Sequence, residues 1–215
     1  MIARGQIFLT VLGAEASQLH PEVLAQMRAI DASDAEAHGL FTTAGSRFGL
    51  LSMLVRPFLG PGILLTRFGR DVPFVLTDRS LRGTDGVEIR DSARELVFPG
   101  STQSLLDRMI ETSDPGVVRT LLGARQRVEV MMQCSVTDYG ALRMRSGRVV
   151  LLVGGVRIPL TGIFGVDVTL EDGWDDDRRR RTISMRAHNP LFGTVLEYRG
   201  WYRYADRRGG APQYV

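Results

Sequence analysis

Val128-Glu129-Val130-Met131-Met132-Gln133-Cys134-Ser135-Val136-Thr137 places an apolar side chain at every second position, from Val128 to Val136. The opposite set is Glu129, Met131, Gln133, Ser135 and Thr137. A period of two is that of an extended strand with one face buried and one face wet. The same period continues downstream. Phe164, Val166, Val168 and Leu170 alternate with Gly165, Asp167, Thr169 and Glu171. Ile183, Met185 and Ala187 alternate with Thr182, Ser184, Arg186 and His188, and Thr194–Tyr204 reads as a long last strand. Ala141–Arg145 and Arg148–Val153 read as a hairpin about Ser146-Gly147. No helix-length segment separates strands after residue 112, so parallel crossovers are not expected. Consecutive strands joined by short turns imply an antiparallel meander, which must cover or close its edges.

Upstream, Val72–Leu81 and Gly86–Phe98 are predicted strands about the turn Gly83-Thr84-Asp85-Gly86. Ser101–Thr112 fits either a strand or a short helix, since Leu105, Leu106, Met109 and Ile110 have helical spacing. The first sixty residues look helical with one extended interruption. Gln6–Leu12 is a short apolar segment stopped by Gly13, and Pro21 opens a helix over Pro21–Ile30 with Val23, Leu24, Met27 and Ile30 on one face. Asp31–His38 reads as a loop and Gly39–Ala44 as a first strand. Phe48–Leu59 reads as a second helix ended by Pro57 and Gly60-Pro61-Gly62. The expected fold is α+β and mainly β: a curved antiparallel meander sheet or open barrel with N-terminal helices covering it. One domain is expected over residues 1–206, helical in about 1–62 and β in about 72–204, with a flexible tail at 207–215.

Composition narrows the chemistry. The chain has 215 residues, 44% of them hydrophobic, and a mean hydropathy of −0.03, values typical of a soluble globular protein. The longest apolar stretches are too short or, like Gly49–Leu65, interrupted by Arg56 and Pro57, so no membrane span is expected. No charged-then-apolar leader is visible, and the single Cys134 cannot form an internal disulfide, which together suggest a cytoplasmic protein. All 27 basic residues are Arg. Without Lys there is no Schiff base, phosphate-loop lysine or Ser–Lys dyad. The net charge is only +3 and acidic residues are interspersed among the arginines, unlike the one-signed stripe of a nucleic-acid binder.

The segment Asn189-Pro190-Leu191-Phe192-Gly193-Thr194-Val195-Leu196-Glu197-Tyr198-Arg199-Gly200-Trp201 resembles the ending of a bacterial domain of unknown function. Leu12-Gly13 with Leu19-His20-Pro21 resembles that family's opening. Phe48–Leu59 followed by Gly60-Pro61-Gly62 and Asp71-Val72-Pro73 resembles its next block, and Val156–Ile163 a connection between central strands. The resemblance implies a domain that, in relatives, often follows a saccharopine-dehydrogenase-like, Rossmann-type oxidoreductase. It therefore implies a possible oxidoreductase partner, and it supplies no catalytic residues. A Trp-centred segment typical of one middle strand is missing here, where Glu95–Phe98 reads Glu-Leu-Val-Phe.

The candidate ligand-binding residues are His188, Glu197, Arg199 and Trp201. Glu197, Arg199 and Trp201 share one face of the last strand, with Tyr198, Gly200 and Tyr202 on the other. Arg199 could receive an anion beside a Trp platform, and His188 could act as a base near Glu197. The reading favoured by ordinary sheet stabilisation is that the charges are cross-strand partners, Trp201 fills the rim and Gly200 permits a bulge or close backbone approach. Three separated histidines (His20, His38 and His188) and one cysteine show no metal-ligand spacing, and no cofactor motif is present. Glu171–Asp177 lacks the ligand order of a calcium loop and reads as a solvated hairpin tip. Cys134 lies on an apolar strand face, where it reads as a small hydrophobe. The expected function is a non-catalytic module binding a hydrophobic or lipid-like small molecule, accessory to an oxidoreductase. The alternatives are a domain docking a partner enzyme, or an enzyme using His188, Glu197 and Arg199 on an anionic substrate.

Overall fold

A computed structural model describes residues 7–29, 34–49 and 57–205. The chain opens with α1 (Ile7–Leu12), a 3₁₀ turn (Gly13–Gln18) and α2 (Pro21–Ala29). Among the described residues eleven strands follow: β1 (Ala35–Gly45), β2 (Phe68–Arg82), β3 (Glu88–Phe98), β4 (Ser101–Glu111), β5 (Val117–Leu122), β6 (Val128–Val136), β7 (Leu142–Val153), β8 (Val156–Pro159), β9 (Asp167–Asp175), β10 (Arg180–Asn189) and β11 (Gly193–Tyr204).

Each strand from β1 to β7 pairs with the next, β7 pairs with β9, and β9–β10–β11 returns to β1. All pairings are antiparallel, so ten strands form a closed up-and-down barrel. Closure removes the unpaired edges that an open sheet would expose. Strand β8 stands outside the ring. The edge of β7 away from β6 is shared, Leu142–Arg145 pairing with β9 and Val150–Val153 with β8.

The closing seam depends on glycine. A Cβ at Gly200 would lie 2.1 Å from Leu40 O and 2.6 Å from Phe41 Cα; one at Gly39 would lie 2.2 Å from Trp201 O. Close backbone approach, expected at Gly200, is what this seam requires. The register shifts between Phe41 and Thr43, and the extra residue, Thr42, donates its hydroxyl to Arg199 O at 2.9 Å. Beneath the seam Phe41 stacks on Phe74 with ring centres 3.8 Å apart.

Two sequence-based expectations change, and two points left open by the sequence are decided. The hairpin about Ser146-Gly147 is one continuous strand, β7, and its pairing with β6 steps from Arg148 to Ser146, leaving Gly147 as a bulge. The true turn is at Gly154-Gly155, both at positive φ, between β7 and β8. Ala35–His38, read as loop, already belongs to β1 because both of its edges are paired. Ser101–Thr112 resolves as a strand, and the open barrel as a closed one. Residues 50–56 of the helix expected over Phe48–Leu59, and the tail from residue 206, lie outside the described residues.

Helices α1 and α2 plug one end of the barrel. Val11 O accepts from Gly116 N at 3.1 Å, and His20 N donates to Gly140 O at 2.9 Å, which ties the helical segment to the β4–β5 and β6–β7 turns. Ile7, Phe8, Val11, Leu12 and Val23 are buried against Met109, Val118, Val130, Cys134 and Leu142. The other end is bordered by residues 57–66, the 3₁₀ turn Gly162–Phe164 and the Asn189–Phe192 turn.

Candidate functional site

Alternation along each strand sends one set of side chains into the barrel, and two kinds of interior result. Near the helical plug the interior is charged but closed. Arg181, 2% exposed, lies against Asp172, with Nη2 to Oδ2 at 2.6 Å and Nε to Oδ1 at 3.1 Å. The Tyr202 hydroxyl donates to Asp172 Oδ2 at 2.9 Å, and Arg181 Nη1 reaches Val23 O of α2 at 3.4 Å. Asp78 is paired with Arg90 and accepts from Ser92 Oγ at 2.5 Å. Burial disfavours the Asp78 carboxylate, but Arg90 and the hydrogen bonds from Arg90 and Ser92 outweigh it and hold the group below the usual range.

Toward the opposite end lies a cavity of about 480 Å³. Its wall is almost wholly apolar, with Leu105, Val130, Met132, Met144, Leu170 and Ala187 among its lining. Phe48, Phe58, Phe164 and Phe192 also line it. Phe58 is 68% and Phe164 71% exposed, so the cavity reaches the surface between them. Ile163 and Leu191 extend the exposed apolar rim.

Ser46 and Asn189 interrupt this wall singly, and one cluster on β3, β4 and β5 interrupts it with charge. Arg94 on β3 and Asp107 on β4 form a buried ion pair, Nη1 to Oδ2 at 2.5 Å. Thr120 on β5 is buried nearby, because its strand partner Met109 is two residues from Asp107. Among the described residues, Arg94 Nε, Asp107 Oδ1 and Thr120 Oγ1 have no hydrogen-bond partner. Burial pushes the Asp107 carboxyl up, more than Arg94 draws it down.

The four residues singled out from sequence lie elsewhere. None of His188, Glu197, Arg199 and Trp201 lines the interior cavity. The inward positions of β11 are Leu196, Tyr198 and Tyr202, all buried, so Glu197, Arg199 and Trp201 face outward. Glu197 lies 3.6 Å from Arg47, and Trp201 carries the Arg180 guanidinium 4.5 Å from its ring centre. Arg199 and Trp201 border an outer pocket of about 330 Å³ with Arg180, Glu171 and Tyr139. His188 alternates with buried Ala187 and Asn189 on β10, opposite Asp167 and Thr194. His20 stacks on Trp174 at 6.0 Å and pairs with Asp176 at 3.3 Å. Cys134 is buried and its thiol is pushed up to about 12 by burial alone, which leaves it unreactive. Among the described residues no cluster of metal-ligating side chains forms.

The family model for a domain of unknown function, DUF4166, matches residues 19–202. The chain belongs to this family. It is also similar to the uncharacterized protein YndH of Bacillus subtilis (strain 168), at 25% identity over 163 residues, covering 73% of this chain and 78% of that relative. The matched span takes in α2 and all of the strands except the last two residues of β11, but not α1. Among the described residues no helix is long and apolar enough to cross a membrane.

Sequence reading missed the interior charges. Their signal was phase: Asp78 follows Leu76, Arg94 precedes Leu96, and Asp107 falls between Leu105 and Met109, each in step with buried apolar neighbours.

Proposed function

We propose that this domain is a cytoplasmic, non-catalytic module that encloses a hydrophobic or lipid-like small molecule. The observation that carries the reading is the apolar cavity of about 480 Å³ opening between Phe58 and Phe164. Its size is within the range of small-molecule sites, roughly 300–1,000 Å³. A barrel interior normally fills with side chains or holds a ligand, and here the half nearest the helices is filled while the far half is not. Because fold alone does not assign function, the reading rests on the cavity and its lining.

Native mass spectrometry of gently purified protein, with uptake of the neutral dye N-phenyl-1-naphthylamine, tests it. A retained apolar mass or dye fluorescence is expected, and Ala187→Phe, which fills the cavity from β10, should weaken dye binding more than about tenfold while the barrel stays folded. A protein that carries no mass and takes up no dye overturns the reading.

A second reading follows from the exposed rim of Phe58, Ile163, Phe164 and Leu191. Contiguous exposed apolar side chains mark interaction sites, and the rim suits docking of a separately encoded oxidoreductase that delivers or receives the ligand. Loss of a purified enzyme's binding in Leu191→Ser, a rim residue that does not line the cavity, with dye uptake intact, would favour it.

A further inference from the structure

The interior cluster on β3, β4 and β5 says what kind of molecule suits the cavity. Arg94 is 7% and Thr120 5% exposed, and the Asp107 side chain 9%. Each lines the cavity, and each leaves one polar atom without a partner among the described residues: a donor on Arg94 Nε, an acceptor on Asp107 Oδ1, and a hydroxyl on Thr120 that does both. Buried polar groups are nearly always satisfied, and an unsatisfied one in a native fold marks a place where something else completes it. The three residues lie on adjacent strands and line one largely apolar cavity, whose other polar lining residues include Ser46 and Asn189; their unpartnered atoms lie just beneath its wall and together offer acceptors and donors.

Charge narrows the complement. Arg94 is already neutralised by Asp107 at 2.5 Å, and the neighbouring Arg90 by Asp78. A carboxylate or phosphate head would bring an unbalanced negative charge against Asp107, and an ammonium head an unbalanced positive one against Arg94. Either would be costly in so apolar a site. A neutral group that both gives and takes a hydrogen bond has neither penalty.

We infer that the cavity takes a molecule with a hydrocarbon body and one neutral donor–acceptor head, the chemistry of an alcohol, whose head sits on Arg94, Asp107 and Thr120. This inference rests on the cavity-binding reading above. The hydrocarbon body then runs toward Phe58 and Phe164, where it leaves the barrel. Water held by the three polar atoms is the competing occupant, and it would remove any preference for the head.

The test is displacement of N-phenyl-1-naphthylamine by a ten-carbon series: 1-decanol, decyl methyl ether, decanoate at pH 8 and decyltrimethylammonium. Decanol should bind at least about tenfold more tightly than the ether or either ion, since one or two hydrogen bonds separate them. Thr120→Val, which keeps the β-branched shape but removes the hydroxyl, should weaken decanol about fivefold to tenfold and leave the dye and the ether unchanged. Asp107→Asn, checked for folding by its circular dichroism, should reduce the preference for decanol over the ether. Failure of the dye to bind at all defeats the cavity reading itself. Dye binding with equal affinities for decanol and ether, with tighter binding of either ion, or with no effect of Thr120→Val overturns this inference and leaves the cavity reading standing.

Discussion

The two halves of one barrel interior are finished differently. Beneath α1 and α2, Arg181, Asp172, Tyr202, Asp78, Arg90 and Ser92 answer one another, and the helices close the end. Beyond them, Arg94, Asp107 and Thr120 each retain an unused polar atom beside an unfilled apolar space. Both halves obey the same period-two alternation, so alternation explains that a residue points inward but not whether the interior is complete. The contrast teaches that the half under the helical plug is completed by its own side chains, while the other half keeps an unfilled apolar space. A fold can leave space unfilled at one end only if the rest holds it together.

The sharpest way to break the comparison is to remove one charge from the closed half. Asp172→Asn leaves the Arg181 guanidinium, 2% exposed, without its counter-ion. Stranding a buried charge costs about 3–5 kcal/mol, which would approach the whole stability of a marginal domain. Urea unfolding should show a large fall in midpoint with an unchanged slope. The corresponding change in the open half, Asp107→Asn, should cost less, since Arg94 borders a cavity from which a water or ligand can reach it. Equal losses from the two substitutions would mean that the halves do not differ as described.

Acid separates the halves in the opposite sense. Asp78 is held below the ordinary aspartate value, about 3.9. The unfolded chain therefore binds its proton first, and the stability contributed by Asp78 is present above that value and lost as pH falls through the depressed one. Asp107 is raised by burial. Its native form binds a proton before the unfolded chain does, so between the raised and ordinary values stability gains slightly as pH falls. Unfolding measured across acidic pH should show a weaker acid slope in Asp78→Asn than in the wild type, and a steeper one in Asp107→Asn. A reversed pattern would exchange the roles assigned to the two carboxylates.

The outer framework of this contrast was legible in the sequence and its inner surface was not. Val128–Val136 coincides with β6, and the strand expected over Thr194–Tyr204 with nearly all of β11, because uninterrupted alternation is a strong local signal. Ser101–Thr112 was ambiguous for a physical reason. Asp107 occupies an inward position between Leu105 and Met109, so the apolar residues that remain, with the outer Leu106 and Ile110, mimic a helical face. The bulge at Gly147 was hidden similarly, since a Ser-Gly pair looks like a turn whether or not the chain reverses. Closure of the ring depends on Gly39, Gly200 and the offset at Thr42, which are close approaches between residues some 160 positions apart, and local pattern does not carry them. The interior charges went unnoticed because charge is ordinarily read as surface. What marks them is their phase with buried neighbours.

The smallest expected effect concerns the outer wall. Arg199 is exposed on β11; the bond at its position is made by its backbone carbonyl, which accepts from Thr42, so truncating the side chain leaves that bond in place. Arg199→Ala should shift stability by no more than about 0.5 kcal/mol, the usual range for surface substitutions. It should also leave dye and decanol affinities unchanged, because the inward neighbours Tyr198 and Tyr202, not Arg199, fill the barrel beneath that position. His188→Ala makes a matched control, since it too alternates with buried neighbours and borders no part of the cavity. Should Arg199→Ala change ligand affinity tenfold while His188→Ala does not, the binding surface would have to be moved from the barrel's interior to the outer pocket beside Trp201. The contrast between a filled and an unfilled half would then describe packing alone.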